Sequence, residues 1–114
     1  MSDCIFCKIV NGEAPSKKVY EDEKMLAFLD INPLAPVHIL LIPKKHIASA
    51  LEVTEVDAEV IGHIFVVAAK LAKELGVAEN GYRIITNVGQ HGGQTVSHLH
   101  FQLIGGKQLS TTLD

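Results

Sequence analysis

The chain has 114 residues, which fits one domain spanning residues 1–114. Apolar residues make up 47% and charged residues 20%, which excludes a disordered chain. A net charge of −3, with ten scattered Lys and Arg, argues against a nucleic-acid backbone as the main partner. The longest apolar run, 61–70, is interrupted by His63 and is too short to span a bilayer. The start, Met1-Ser2-Asp3-Cys4, has neither basic residues nor an apolar stretch, so no secretory signal and a cytoplasmic location are expected.

The segment from Asp3 to Val10 reads as a short N-terminal helix, with Asp3 as its cap and Gly12 as its stop. Lys18 to Tyr20 and Met25 to Leu29 read as strands around the acidic turn 21–23. Val37 to Ile42 is a third strand, ended by Pro43. Lys44 to Leu51 reads as a short turn or helix, with Lys44 and Lys45 as a solvated pair able to draw in an anion. Thr54 to Leu75 is the one long helix, capped by Thr54 with Asp57 three residues on. Its apolar stripe is Val60, Ile64, Val67, Ala68, Leu71 and Leu75, and Gly76 ends it. Tyr82 to Asn87 and Val96 to Ile104 complete five strands, giving an α+β fold with a five-stranded antiparallel sheet. One long helix covers only part of such a sheet, which suggests a second subunit.

Six histidines are present: His38, His46, His63, His91, His98 and His100. Residues 96–103 alternate polar and apolar, so a strand there places His98, His100 and Gln102 on one face at intervals of about 6.5–7 Å. Leu99, Phe101 and Leu103 then point into the core. The row reads in three ways: a wet sheet face, a chelating H-x-H, or a phosphate-handling site. The preceding loop, 87–95, carries three glycines and several side-chain donors, including Gln94 and Thr95. Glycines let backbone N–H groups approach an anion, which favours the phosphoryl reading. No Gly-Lys-Ser/Thr follows, so this is not a Walker loop. His63 reads as a surface or interface residue of the long helix, and His91 as a loop residue near ligand or solvent.

Several longer stretches together resemble the histidine triad family, in its small Hint branch of nucleotide hydrolases and transferases. They are Cys4-Ile5-Phe6-Cys7-Lys8-Ile9, residues 26–33, Ala35-Pro36-Val37-His38, residues 42–46, the loop 92–95, the His98/His100 strand and Gly105-Gly106. The resemblance covers nearly the whole chain. It implies a homodimer whose two sheets join into one. It also implies a purine nucleoside monophosphate site that cleaves phosphoramidates or related nucleotide conjugates at the α-phosphorus. His100 would be the nucleophile, through a covalent nucleotidyl-histidine, and His38 would orient it. A neutral imidazole suits that role near pH 7, and two displacements replace one hard step. The family's phosphate contacts fall on Asn87, Gly93 and Thr95, with Gln94 beside them, and Asp30 falls on the ribose hydroxyls. Ile5, Phe6, Ile9, Phe28, Ile31 and Leu40 would line the base slot; without the resemblance they read as ordinary core.

Gln102 departs from the pattern, because the Hint branch carries a third histidine there. The galactose-1-phosphate uridylyltransferase branch carries glutamine at that place, in a much longer enzyme. Glutamine can hold a phosphoryl oxygen but supplies no proton. A nucleotide-binding module with little turnover is therefore the alternative function.

Cys4 and Cys7 stand in a C-x-x-C on one short helical turn. A structural zinc completed by His46 and His98 is one reading, a pattern several bacterial-type members of the family share. A redox pair and two free thiols are the others, although the βαβ context of a thioredoxin-like site is missing. No organic cofactor is expected.

Overall fold

The computed structural model describes residues 4–112, so the expected cap Asp3 and the tail residue Leu113 lie outside the described residues. Helix α1 spans Ile5–Val10, followed by strands β1 (Lys18–Glu21), β2 (Met25–Leu29) and β3 (Val37–Pro43). Two 3₁₀ turns, Ala50–Glu52 and Glu55–Asp57, lead into helix α2 (Ala58–Glu74); β4 (Tyr82–Ile85) and β5 (Phe101–Gly105) close the fold. All strand pairs are antiparallel, in the order β1-β2-β3-β5-β4, so β1 and β4 are the edges. Among the described residues no helix is long and apolar enough to cross a membrane.

The sheet buries both faces, because β2 and β3 are near-continuous apolar runs whose successive side chains point to opposite sides. Met25, Ala27, Ile39, Leu41, Phe101 and Leu103 face α2, where they meet Ile64, Val67, Ala68 and Leu71. Leu26, Phe28, Leu40 and Ile42 face the other way and pack on Phe6 and Ile9 of α1. α1 is held in place by the second layer, since six residues are too few for a helix to be stable alone.

Several boundaries differ from the sequence reading. α1 is capped by Cys4, whose Sγ accepts the Cys7 N–H at 3.3 Å. The first turn of the long helix is 3₁₀, with the Asp57 carboxylate accepting the Thr54 N–H at 3.1 Å. Leu75 is the C-cap and is exposed, and Ala72 is buried in the last turn instead. The Lys44–Lys45 pair is not free: Lys44 reaches Glu21 at 2.8 Å and Lys45 reaches the buried Asp57 at 2.7 Å. His63 Nε2 meets Asp22 Oδ2 at 2.6 Å, tying α2 to the β1–β2 turn.

The final strand is shorter than its alternation predicts. Pairing starts at Phe101, opposite Leu41, and residues 96–100 lie outside the ladder. Continued pairing would put Pro43, which has no N–H, against this segment. Instead the Leu99 N–H donates to the Ile47 carbonyl at 2.6 Å, and the Pro43 carbonyl receives a side-chain donor, His98 Nε2, at 2.9 Å. Side-chain alternation survives without the ladder: Leu99 joins the α2-side core, while His98 and His100 meet Phe6 of α1.

Candidate functional site

The sheet face beneath α1 carries His38 from β3 and Gln102 from β5, with His98 and His100 just before β5. His100 is 7% exposed, and Phe6 stands edge-on to its ring with centroids 5.2 Å apart. Its Nδ1–H donates to the His98 carbonyl at 2.7 Å. That bond assigns the ring hydrogen to Nδ1 and leaves the lone pair on Nε2. No group among the described residues hydrogen-bonds to that Nε2.

A directed chain of hydrogen bonds runs beside it. The Leu34 N–H donates to His38 Nδ1 at 3.0 Å, so the His38 hydrogen sits on Nε2. That Nε2–H donates to Gln102 Oε1 at 2.8 Å and lies 3.5 Å from Asp30 Oδ2. Gln102 Nε2 donates to Asn87 Oδ1 at 3.1 Å, and Asn87 Nδ2 donates to the Gly92 carbonyl at 2.7 Å. Gln102 thus links His38 to the glycine loop through both ends of its amide.

The loop is shaped as its glycines demand. Gly89 and Gly93 adopt positive φ of 71° and 82°, and a Cβ on Gly92 would overlap the Val88 carbonyl. Thr95 and Gly93 are exposed. Gln94 has a different place from the donor role its sequence position suggests. Its Nε2 donates to the Ala48 and Val96 carbonyls at 2.8 and 2.9 Å, and its Oε1 accepts the Gly89 N–H at 2.9 Å. The whole amide therefore holds the loop. Asp30 Oδ1 accepts the Asn32 N–H at 2.8 Å, and the carboxylate is half-buried.

The six apolar residues expected at a base slot divide. Phe6, Ile9, Phe28 and Leu40 are buried together, with Phe6 edge-on to Phe28. Ile5 and Ile31 are exposed, Ile31 by 90%.

Cys4 at the cap of α1, Cys7 within it, His46 after β3 and His98 bring four donor atoms within 4.8 Å of one another. Cys7 Sγ lies 3.2 Å from His46 Nδ1, and Cys4 Sγ lies 3.3 Å from His98 Nδ1. Burial, opposed by the Pro43 carbonyl, holds the His98 ring below the ordinary histidine range. Its Nε2–H is fixed on that carbonyl, so the Nδ1 lone pair faces the thiols. Burial, together with its hydrogen bond to Cys4, raises the Cys7 thiol above its ordinary value. Two thiols and two imidazoles form a zinc-type donor set, and their convergence here fits that metal.

The sequence reading missed the groups that orient these rings. They are the Pro43 and His98 carbonyls, the Leu34 N–H, and Thr86 Oγ1, which donates to the His100 carbonyl at 2.8 Å. Backbone partners leave no side-chain signature, and Thr86, just past the end of β4, looks like any β-branched residue near a strand.

Residues 11–109 match the HIT domain family. The chain is 45% identical over 111 residues to the purine nucleoside phosphoramidase of Escherichia coli strain K12, covering 97% of this chain and 93% of that one. A HIT family hydrolase from Clostridium thermocellum superposes with a TM-score of 0.95 at 50% identity, covering 99% of this chain and 98% of that one. A histidine triad protein from Clostridium difficile gives a TM-score of 0.94 at 51% identity, over 98% and 97%. Matched along nearly its whole length in both sequence and fold, the chain belongs to the HIT domain family.

Proposed function

We propose that the protein is a nucleotide hydrolase or transferase acting at the α-phosphorus of purine nucleoside phosphoramidates or related nucleotide conjugates. The observation that carries this reading is the His100 ring, with its hydrogen held on Nδ1 by the His98 carbonyl at 2.7 Å. The likeness to the E. coli purine nucleoside phosphoramidase supports the substrate class.

In this reading His100 Nε2 attacks the α-phosphorus, a P–N bond forms, and the bond to the leaving group breaks. The leaving group departs with its electron pair and, if it is an amine, takes a proton from solvent, since Gln102 has none to give. Water then attacks the same phosphorus and gives its proton to solvent. The P–N bond breaks, releasing the nucleoside monophosphate and the free imidazole. Asn87, Gly93 and Thr95 contact the phosphate, Asp30 the ribose hydroxyls, and the Phe6, Phe28 and Leu40 patch with exposed Ile5 and Ile31 the base. Gln94 and Gln102 hold the loop that receives the anion.

Cys4, Cys7, His46 and His98 hold a zinc ion in this proposal, supported by the convergence of their donor atoms. Bound there, zinc supplies structural cross-linking and no reacting group. A homodimer is proposed from the unpaired β4 edge and from Phe65 and Val66, exposed on α2 by 47% and 65%. Free Cys4 and Cys7 suit a reducing compartment such as the cytoplasm.

The test is incubation with an activated purine nucleotide, an acid quench and intact-mass measurement. A gain of one nucleoside monophosphate, lost in His100→Ala, is expected. Nucleotide binding with neither adduct nor product would leave the second reading, a binding module, which the proton-poor Gln102 amide favours.

A further inference from the structure

His98 belongs to two centres at once. Its ring Nδ1 lies 3.3 Å from Cys4 Sγ and 3.6 Å from Cys7 Sγ, and its backbone carbonyl accepts the His100 Nδ1–H at 2.7 Å. The side chain is completely buried. No strand ladder holds this backbone, since β5 pairing begins at Phe101. The carbonyl that orients His100 is therefore placed by other anchors: the His98 ring, the Leu99 N–H on Ile47, and Thr86 on the His100 carbonyl.

A second connection runs through α1. Phe6 lies between Cys4 and Cys7 in sequence and meets the His98 and His100 rings edge-on at 5.8 and 5.2 Å. Beside that ring packing, Cys4 and Cys7 reach the His46 and His98 rings through thiol–imidazole contacts of 3.2–3.6 Å. A thiol is a weak hydrogen-bonding group. A metal held by all four side chains would lock α1, the end of β3 and His98 into one unit.

We infer that His98 is a positioning residue that couples the four-donor centre to the nucleophile, so that metal occupancy sets the orientation and reactivity of His100. The inference rests on the metal reading above. It goes further, because a zinc that only stabilised the fold would leave the His100 ring unchanged in folded protein. Partners that orient a working group through one intermediate residue typically change activity by roughly 10–100-fold when lost.

The experiment compares zinc-loaded wild type, chelator-stripped wild type, His46→Ala and His46→Cys. His46→Ala removes one donor while leaving His98, His100 and the glycine loop in place, and His46→Cys restores a donor. Zinc per chain, the ¹⁵N–¹H signal of the His100 ring and the rate of nucleotide adduct formation are measured on each. The expected result is one zinc per chain in wild type and His46→Cys, with a slowly exchanging His100 Nδ1–H. In stripped protein and in His46→Ala, that hydrogen should exchange at least about tenfold faster. Adduct formation at saturating nucleotide should fall by about tenfold, with KM changed less than about threefold. One zinc per chain with the same His100 signal after stripping would overturn the coupling and leave the metal reading intact. Zinc well below one per chain in wild type would overturn both. If no adduct forms in any sample, the covalent mechanism fails, and the ring signal alone decides the coupling. If His46→Ala does not fold, the stripped wild type carries the comparison.

Discussion

Replacing Gln102 by histidine isolates the chemistry at the position where the family resemblance leads one to expect a third imidazole. The Gln102 amide accepts from His38 at 2.8 Å and donates to Asn87 at 3.1 Å. An amide cannot hand a proton to a departing group, whereas an imidazole can. Positioned general-acid catalysis contributes roughly 10²–10⁴-fold. The lower end applies here. The Leu34 N–H fixes the His38 hydrogen on Nε2, where it points at residue 102. A fully protonated ring at 102 would set donor against donor, so its acid form is a minority species. A gain of about 10² corresponds to about 2.7 kcal/mol of barrier. The assay is kcat/KM for two adenosine substrates, one with an amine leaving group and one with a phosphate leaving group, measured for Gln102 and Gln102→His proteins. The amine substrate should gain about a hundredfold and the phosphate substrate less than about tenfold. Losing the link to Asn87 should also cost about 1 kcal/mol, or about 4 °C in Tm. Equal rates on the amine substrate for the two proteins would refute the reasoning.

Three further outcomes follow from the packing and the electrostatics. Leu41→Ala empties a fully buried position between the sheet and α2, and should destabilise by about 3 kcal/mol in urea titration; a loss under about 1 kcal/mol would mean the site collapses or is not core. Gly92→Ala forces a Cβ into the Val88 carbonyl and must displace the loop. Calorimetry should show nucleoside monophosphate affinity reduced by at least about tenfold, with Tm nearly unchanged because the loop is exposed. Burial pushes the Asp22 carboxyl up, but hydrogen bonds from His63, the Lys24 N–H, Tyr20 and the Met25 N–H outweigh it and hold it well below the usual carboxylate range. A folded-state value below the unfolded one means the stabilisation is full above about pH 4 and is lost as pH falls from there. Denaturant titrations at pH 7 and pH 3 should therefore show a smaller acid loss in Asp22→Asn than in wild type; parallel losses would contradict the assignment.

Much of the architecture was legible because it is written in local periodicity. The short runs 25–29 and 37–42, bounded by turn residues and Pro43, predict strands, and β2 and β3 appear there with successive side chains in separate cores. The helical stripe predicts the buried residues of α2 except at its last turn, where Leu75 becomes an exposed cap. A stripe specifies which face is apolar but not where the helix leaves the sheet that covers it.

The site was legible as a set of residue types and much less so as a set of roles. Sequence alone determined that His98, His100 and Gln102 share a side, since period two survives even where the ladder stops. It also determined that Cys4 and Cys7 sit one turn apart, since a short helix imposes that spacing. Tertiary structure decided everything that depends on a partner distant in the chain. It brought His46 and His98 to the thiols, gave the Gln94 amide to the loop, and set Gln102 between His38 and Asn87. It also chose which nitrogen of each ring keeps its hydrogen. That choice belongs to backbone groups at Leu34, Pro43 and His98, whose direction follows from the path of the folded chain rather than from any side chain.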